Sequence, residues 1–100
     1  MYHGPVDLEG TLAALMLTVN ASDVPTDADS LPTYSIYETD FGSALVTGTV
    51  TTLSAVTGAY YISQVIQAAS SFAAGKTYTI LFSWAISAAN RQQKMTFLVT

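Results

Sequence analysis

The chain has 100 residues, of which 50% are hydrophobic and only 10% are charged, and its formal net charge is −4. Binding to nucleic acid needs clustered lysines and arginines that displace counterions, and the chain has only Lys76, Arg91 and Lys94. It lacks cysteine and has one histidine, His3, so neither disulfides nor a zinc site is expected. The scattered glycines form no phosphate-binding loop. We therefore predict no nucleic-acid partner, no metal and no cofactor.

Residues 1–10 contain two glycines and Pro5 and predict a short N-terminal arm ahead of a single domain over residues 11–100. The arm has neither the basic region nor the apolar core of a signal peptide, so none is expected. The longest strongly apolar run, residues 12–19, is much shorter than the roughly 20 residues of a membrane-spanning helix. No membrane partner is predicted.

Residues 11–20 open a series of predicted β-strands. Their apolar side chains fall at both helical and strand spacing, but the closing "VNAS" is a turn signal and favours a strand. The six predicted strands are residues 11–20, 32–40, 44–56, 60–68, 78–87 and 91–100. Their even spacing, with turn signals between them, predicts an all-β sandwich.

The clearest strand is "YTILFSWAIS", in which large side chains from Tyr78 to Ile86 alternate with small ones. Such alternation is typical of a sheet with one face in the core. The last strand is expected to point Met95, Phe97 and Val99 inward as well. Sequence periodicity thus identifies much of the candidate core.

The acidic stretch "VPTDADSLPTY" places Asp27 and Asp29 between two prolines, with Asp23 just before it. A helix-loop-helix calcium site starting at Asp27 would need an oxygen ligand at its fifth position and glycine at its sixth. The chain has Leu31 and Pro32 there, so that motif fails. A looser cation site built from the three aspartates stays open. The favoured prediction is that these carboxylates accept hydrogen bonds from nearby backbone N–H groups.

Catalytic motifs are weak throughout the sequence. Asp27 with Glu38, or Glu9 with Asp40, are candidate acid–base pairs, but nothing in their spacing selects them. A catalytic triad would have to use His3, the only histidine, and no G-x-S-x-G sequence supplies a nucleophile. The chain is predicted not to be an enzyme.

Aromatic residues suggest either a core or a contact surface. Tyr34, Tyr60 and Trp84 lie on strand faces assigned to the core, whereas Tyr37 and Tyr61 lie on the opposite faces. The two outward tyrosines are predicted to contact a protein partner, and stacking on a sugar ring is the alternative.

Four short stretches follow one another over about 80 residues and correspond to the patterns "P-x-D-A-D-x-x-P-x-Y-x-V-Y" (with isoleucine for valine), a "G-T" strand, a "T-G-x-Y" hairpin and an "F-x-x-G-x-x-Y-x-I" segment. The positions are Pro25, Asp27, Ala28, Asp29, Pro32, Tyr34, Ile36 and Tyr37; Gly48 and Thr49; Thr57, Gly58 and Tyr60; and Phe72, Gly75, Tyr78 and Ile80. In this order the motifs resemble small Ig-like β-sandwich proteins encoded among the structural genes of tailed bacteriophages. The Ala- and Met-rich first strand and the uncharged segment 87–90 depart from the family's pattern.

The resemblance implies a single Ig-like antiparallel sandwich of about six to seven strands and a structural role in the virion. A capsid decoration or cement protein is expected, made in the host cytoplasm, bound to the major capsid protein and forming a homo-oligomer, with a trimer favoured. The alternatives are a tail, neck or baseplate accessory protein, or a fibre-type module that binds a carbohydrate or receptor. The expected contact residues are Tyr2, His3, Pro5, Asp27, Asp29, Tyr37, Tyr61 and Arg91.

Overall fold

The computed structural model describes residues 2–38 and 43–100. Its eight strands are β1 (Tyr2–Val6), β2 (Thr11–Leu17), β3 (Thr33–Glu38), β4 (Val46–Thr49), β5 (Thr51–Thr52), β6 (Ala59–Val65), β7 (Thr77–Ile86) and β8 (Ala89–Val99), with one short 3₁₀ helix at Ala68–Ser70. No helix in these ranges has the length and apolar composition needed to cross a membrane. Asp40 and most of the turn predicted at residues 41–43 lie outside the described residues.

The strands form two sheets that pack face to face, which confirms the predicted all-β sandwich. One sheet has five strands in the order β1-β8-β7-β3-β4, and the other has three in the order β2-β6-β5. In immunoglobulin nomenclature the three-stranded sheet corresponds to B-E-D, and strands β8-β7-β3-β4 correspond to G-F-C-C′. The strand order is therefore that of an Ig-like sandwich.

The core lies between the sheets and follows the two-residue period of the strands. Along β2 the side chains alternate between exposed and buried, with Leu12 and Met16 pointing inward. The facing strand β7 contributes Ile80 and Phe82, which have no exposed surface. Burying each such side chain stabilises the fold by about 1.5–3 kcal/mol. The predicted inward orientation of the last strand is also confirmed, since Met95, Phe97 and Val99 are all buried.

Tyr78 fixes the corner where the chain enters β7. Its hydroxyl accepts a hydrogen bond from the backbone N–H of Ala73, five residues upstream, at 2.8 Å. Its ring packs edge-on against Phe72 at a centroid distance of 4.8 Å and stacks on Phe97 at 5.8 Å. This arrangement matches the tyrosine corner of immunoglobulin sandwiches. In a chain without cysteine, packed aromatic rings occupy the centre of the core.

The prediction of an N-terminal arm is wrong for residues 2–6. These residues form β1, which pairs in parallel with β8 through registers such as Gly4 with Phe97 and Val6 with Val99. Pairing with the long last strand satisfies the backbone of the N-terminal segment and buries Val6, so this segment belongs to the sandwich. The sandwich is for the same reason not wholly antiparallel.

The single strand predicted over residues 44–56 is in fact two strands in different sheets. β4 pairs with β3, β5 pairs with β6, and the chain crosses between the sheets at Val50. Val50 is buried, and its N–H donates to the carbonyl of Pro32 at 3.1 Å. The count of eight strands exceeds the six or seven expected.

Candidate protein-interaction surface

The outer face of β2 is apolar. Leu15 is 65% exposed and Leu17 is 49% exposed, although both lie on a β-strand rather than in a loop. The inner side chains of the same strand are also apolar, so β2 is hydrophobic on both faces. A strand with this pattern is typical of a sheet covered on both sides.

Neighbouring strands extend this surface. Tyr61 on β6 lies directly opposite Leu15, and Val65 follows on the same face. Of the nine large hydrophobic side chains that are exposed in the described residues, six share this side of the molecule. We call them the apolar face: Leu15, Leu17, Leu53, Val56, Tyr61 and Val65. Shallow grooves of about 370 and 450 Å³ adjoin it, and Leu15 and Leu53 border both; the smaller groove extends to Gln93 on β8.

The outer face of the five-stranded sheet has the opposite character and serves as an internal comparison. Its outward positions on β3 and β4 are serine and threonine apart from Tyr37, and β8 presents Gln92 and Lys94. An antiparallel sheet that is solvated on one side normally has this polar outer face. In the described residues only the three-stranded sheet deviates from this pattern.

The two aspartates of the acidic loop bind backbone groups, as predicted. Asp27 Oδ1 accepts a hydrogen bond from the N–H of Gly58 at 2.8 Å, in the turn between β5 and β6. Asp29 accepts two, from the N–H of Ser87 at 2.9 Å and from that of Ala88 at 2.8 Å, in the turn between β7 and β8. The loop therefore joins the ends of both sheets.

Asp29 holds a turn whose sequence does not favour its conformation. Ser87 and Ala88 have φ angles of 50° and 64°, and they form the two-residue connection between the paired residues Ile86 and Ala89. Two-residue hairpin turns of this kind prefer Asn-Gly, because other residues resist positive φ. Each residue in this conformation costs about 1–2 kcal/mol. The carboxylate offsets that cost by binding both N–H groups.

The predicted contact residues at the N-terminus lie in β1. Tyr2 is 59% exposed and Pro5 is also exposed, so both are accessible to a partner. His3 instead binds within the chain, since its Nε2 atom lies 2.7 Å from the carbonyl oxygen of Ala13 on β2. It links the two sheets at one edge of the sandwich.

The predicted core tyrosines are buried, whereas Tyr37 and Tyr61 are not. Tyr34 is buried, and its hydroxyl donates to Gln64 Oε1 at 2.8 Å. Burial raises the pKa of the Tyr34 hydroxyl above its ordinary value. Tyr60 is also buried, and its hydroxyl accepts from the N–H of Ala28. Tyr61 belongs to the apolar face, and Tyr37 is partly exposed on β3.

No metal site is assembled in residues 2–38 and 43–100, where no three His, Asp or Glu side chains are placed to hold an ion. Among the candidate acid–base pairs, Asp27 precedes β3 and Glu38 ends it, so about 20 Å of strand separates them. Glu38 instead lies 3.5 Å from Lys76 Nζ. The other pair, Glu9 with Asp40, involves a residue outside the described ranges.

Comparisons with models of protein families, with curated proteins and with solved structures found no match for this chain.

The predicted contact residues do not form one site. Asp27, Asp29 and Arg91 lie at the end of the sandwich where β8 begins, Tyr61 lies on the apolar face, and β1 carries three others at an edge. Sequence reasoning missed most of the apolar face. The signal was present in "LAALML", where outward as well as inward positions are apolar.

Proposed function

We propose that the chain is a non-enzymatic structural protein of a tailed bacteriophage virion, and that it decorates or cements the capsid by binding the major capsid protein. The observation that carries this proposal is the apolar face, because a soluble chain with six large hydrophobic side chains on one side of a sheet needs a partner for them. The order of the sequence motifs resembles that of phage Ig-like proteins, and this resemblance is the reason for proposing the major capsid protein as the partner.

The size of the apolar face suits a protein that acts in many copies. The sheet has two strands of seven residues and one of two residues, and at about 3.3 Å per residue and about 4.8 Å per strand it covers roughly 250 Å². A stable interface buries about 800 Å² on each partner. One face therefore gives only weak binding, and stable attachment needs further contacts. Association into a homo-oligomer, for which a trimer is favoured, would supply them through multivalency.

Cosedimentation with capsids that lack the protein tests the proposal. The wild type is expected to saturate such capsids at a copy number in the hundreds. Leu17→Gln places a polar amide on the apolar face, and it is expected to weaken binding about tenfold, which corresponds to 1.4 kcal/mol. Val24→Gln is the matched control, because Val24 is 52% exposed but lies outside the face, and Leu17 is 49% exposed.

Absence of binding to capsids would contradict the decoration role, and equal loss in both variants would contradict the role of the apolar face. Binding of only one ring of copies per particle would assign the chain to the tail, neck or baseplate instead. Binding to host-cell glycans without binding to particles would favour the fibre-type module.

A further inference from the structure

The outer edge of β2 is a long strand edge with no neighbouring strand. β2 is the first strand of the three-stranded sheet, whose order is β2-β6-β5. In immunoglobulin sandwiches the position beside strand B, which corresponds to β2, belongs to strand A. Here the N-terminal strand β1 pairs with β8 in the other sheet instead. Among residues 2–38 and 43–100, no strand therefore pairs with this edge of β2.

Backbone groups of four residues point to this edge. The N–H of Ile66 donates to the carbonyl of Gly10 at 2.9 Å, and the N–H of Thr18 donates to the carbonyl of Gly58 at 2.8 Å. In the antiparallel register of β2 and β6, the even-numbered residues of β2 therefore bond to β6 and the odd-numbered residues face away from it. These edge-facing residues are Thr11, Ala13, Leu15 and Leu17.

The other three edges of the two sheets are protected, whereas that of β2 is not. Proteins protect free edges with very short strands, proline, charged side chains or irregular pairing. β4 has four residues and β5 has two, while β1 contains Pro5 and shifts its register between Tyr2 and Gly4. β2 has seven residues without proline or charge, and its register with β6 is continuous. Such an edge is suited to pairing with a further strand.

The sequence of β2 suits pairing with a second copy of itself. An antiparallel pair with its twofold axis beside Ala14 would align Leu15 with Ala13 of the second copy, and Leu17 with Thr11. All four edge-facing residues would then have partners, and each large outward side chain would lie opposite a small one. Because β2 carries no charge, this pairing brings no like charges together, although the net charge of the chain is −4.

We propose that two copies of the chain pair through their β2 strands and so join two three-stranded sheets into one sheet. The carbonyl of Ala13 binds His3 Nε2 at 2.7 Å, and its second lone pair accepts the N–H of Leu15 of the second copy. The two apolar faces become continuous across the joint. This inference goes beyond the proposed function, because it names a contact between copies that needs no virion component.

The size of the contact predicts weak association. A seven-residue edge is about 23 Å long, and a thickness of about 10 Å gives roughly 230 Å² on each copy. A standard interface buries about 800 Å² on each partner. We therefore expect a dissociation constant of about 0.1–1 mM. The contact uses the same strand on both sides, so it produces a dimer and not the trimer that the resemblance favours.

Sedimentation equilibrium at protein concentrations up to about 2 mM would measure this association. Leu15→Lys places two like charges diagonally across the axis and should weaken the dimer about tenfold or more. Val65→Lys is the matched control, because Val65 is 40% exposed on the same apolar face but belongs to the central strand β6. It should leave the dimer unchanged.

Ala13→Pro tests the backbone hydrogen bonds independently of the apolar face. The N–H of Ala13 faces the free edge, so proline removes no bond of the sheet in one copy but prevents pairing with a second. This variant should stay monomeric and keep the circular dichroism spectrum of the wild type. In the wild type, the amide of Leu15 should exchange its hydrogen more slowly at about 2 mM than at about 0.02 mM protein.

Three results would overturn the inference: a monomer at about 2 mM, a trimer, or dimerisation by folded Ala13→Pro. Equal weakening by Leu15→Lys and Val65→Lys would also overturn it, since it would mean that the apolar faces of two copies pack against each other. The capsid assay uses other variants and measures attachment to particles, so its failure is distinguishable from a failure of strand pairing.

Discussion

Replacing Asp29 by Asn should destabilise the sandwich, although the residue is exposed and belongs to a loop. The carboxylate accepts two hydrogen bonds from the N–H groups of Ser87 and Ala88. An asparagine has one acceptor oxygen and an NH₂ group, so it can satisfy only one of them. The other N–H would face a donor in a turn that already holds two residues at positive φ.

The magnitude follows from the number of bonds and their exposure. Hydrogen bonds to charged groups contribute about 1.5–3 kcal/mol, and solvent exposure lowers this to about 1 kcal/mol for each bond here. We therefore expect Asp29→Asn to lower the free energy of unfolding by about 1 kcal/mol and Asp29→Ala to lower it by about 2 kcal/mol. In a domain of this size these losses correspond to Tm decreases of roughly 4–8 °C and 8–16 °C.

Thermal and urea unfolding, followed by circular dichroism, would measure these changes. Asp23→Asn is the control, because Asp23 lies in the same loop and its side chain makes no hydrogen bond in the described part of the chain. It should change stability by less than about 0.5 kcal/mol. Ala88→Gly should restore about 1 kcal/mol to Asp29→Asn, because glycine adopts positive φ without strain. Equal effects of the two Asn variants would refute the assigned role of Asp29, and failure of Ala88→Gly to stabilise would refute the strain in the turn.

Three further predictions concern other parts of the sandwich. Burial raises the pKa of Tyr34 above its ordinary value of 10.0. The neutral hydroxyl therefore stabilises the fold fully below pH 10, and this stabilisation is lost as the pH rises through the raised pKa. Urea unfolding at alkaline pH should show a smaller loss of stability for Tyr34→Phe than for the wild type, and equal losses would contradict this prediction. A Cβ atom at Gly48 would lie 2.8 Å from the Tyr34 ring, so Gly48→Ala should cost about 1–3 kcal/mol in denaturant unfolding, and a neutral result would contradict this close contact. Because Asp27 and Asp29 bind backbone groups, neither the wild type nor the double Asn variant should shift its Tm with calcium or a chelator, and a shift of several degrees in the wild type alone would restore the cation site.

Alternation along strands predicted the core correctly, because the core side of each strand is selected by burial alone. The inward positions from Tyr78 to Ile86 could be identified from their two-residue period. The roles of Asp27 and Asp29 were also predictable in kind, since short acidic side chains in loops bind local N–H groups. The hydrogen-bond partners of the two aspartates could not be predicted, because Gly58 and Ala88 are distant in the sequence and are brought to Asp27 and Asp29 by the packing of the two sheets.

Errors arose where one segment has two pairing options. Residues 2–6 have the composition of a flexible arm, and only the free edge of β8 makes them a strand. The run around Val50 is rich in valine and threonine, yet it changes sheets there because Val50 enters the core and its N–H donates to the carbonyl of Pro32. Non-local pairing decides both cases, and local propensity carries no information about it.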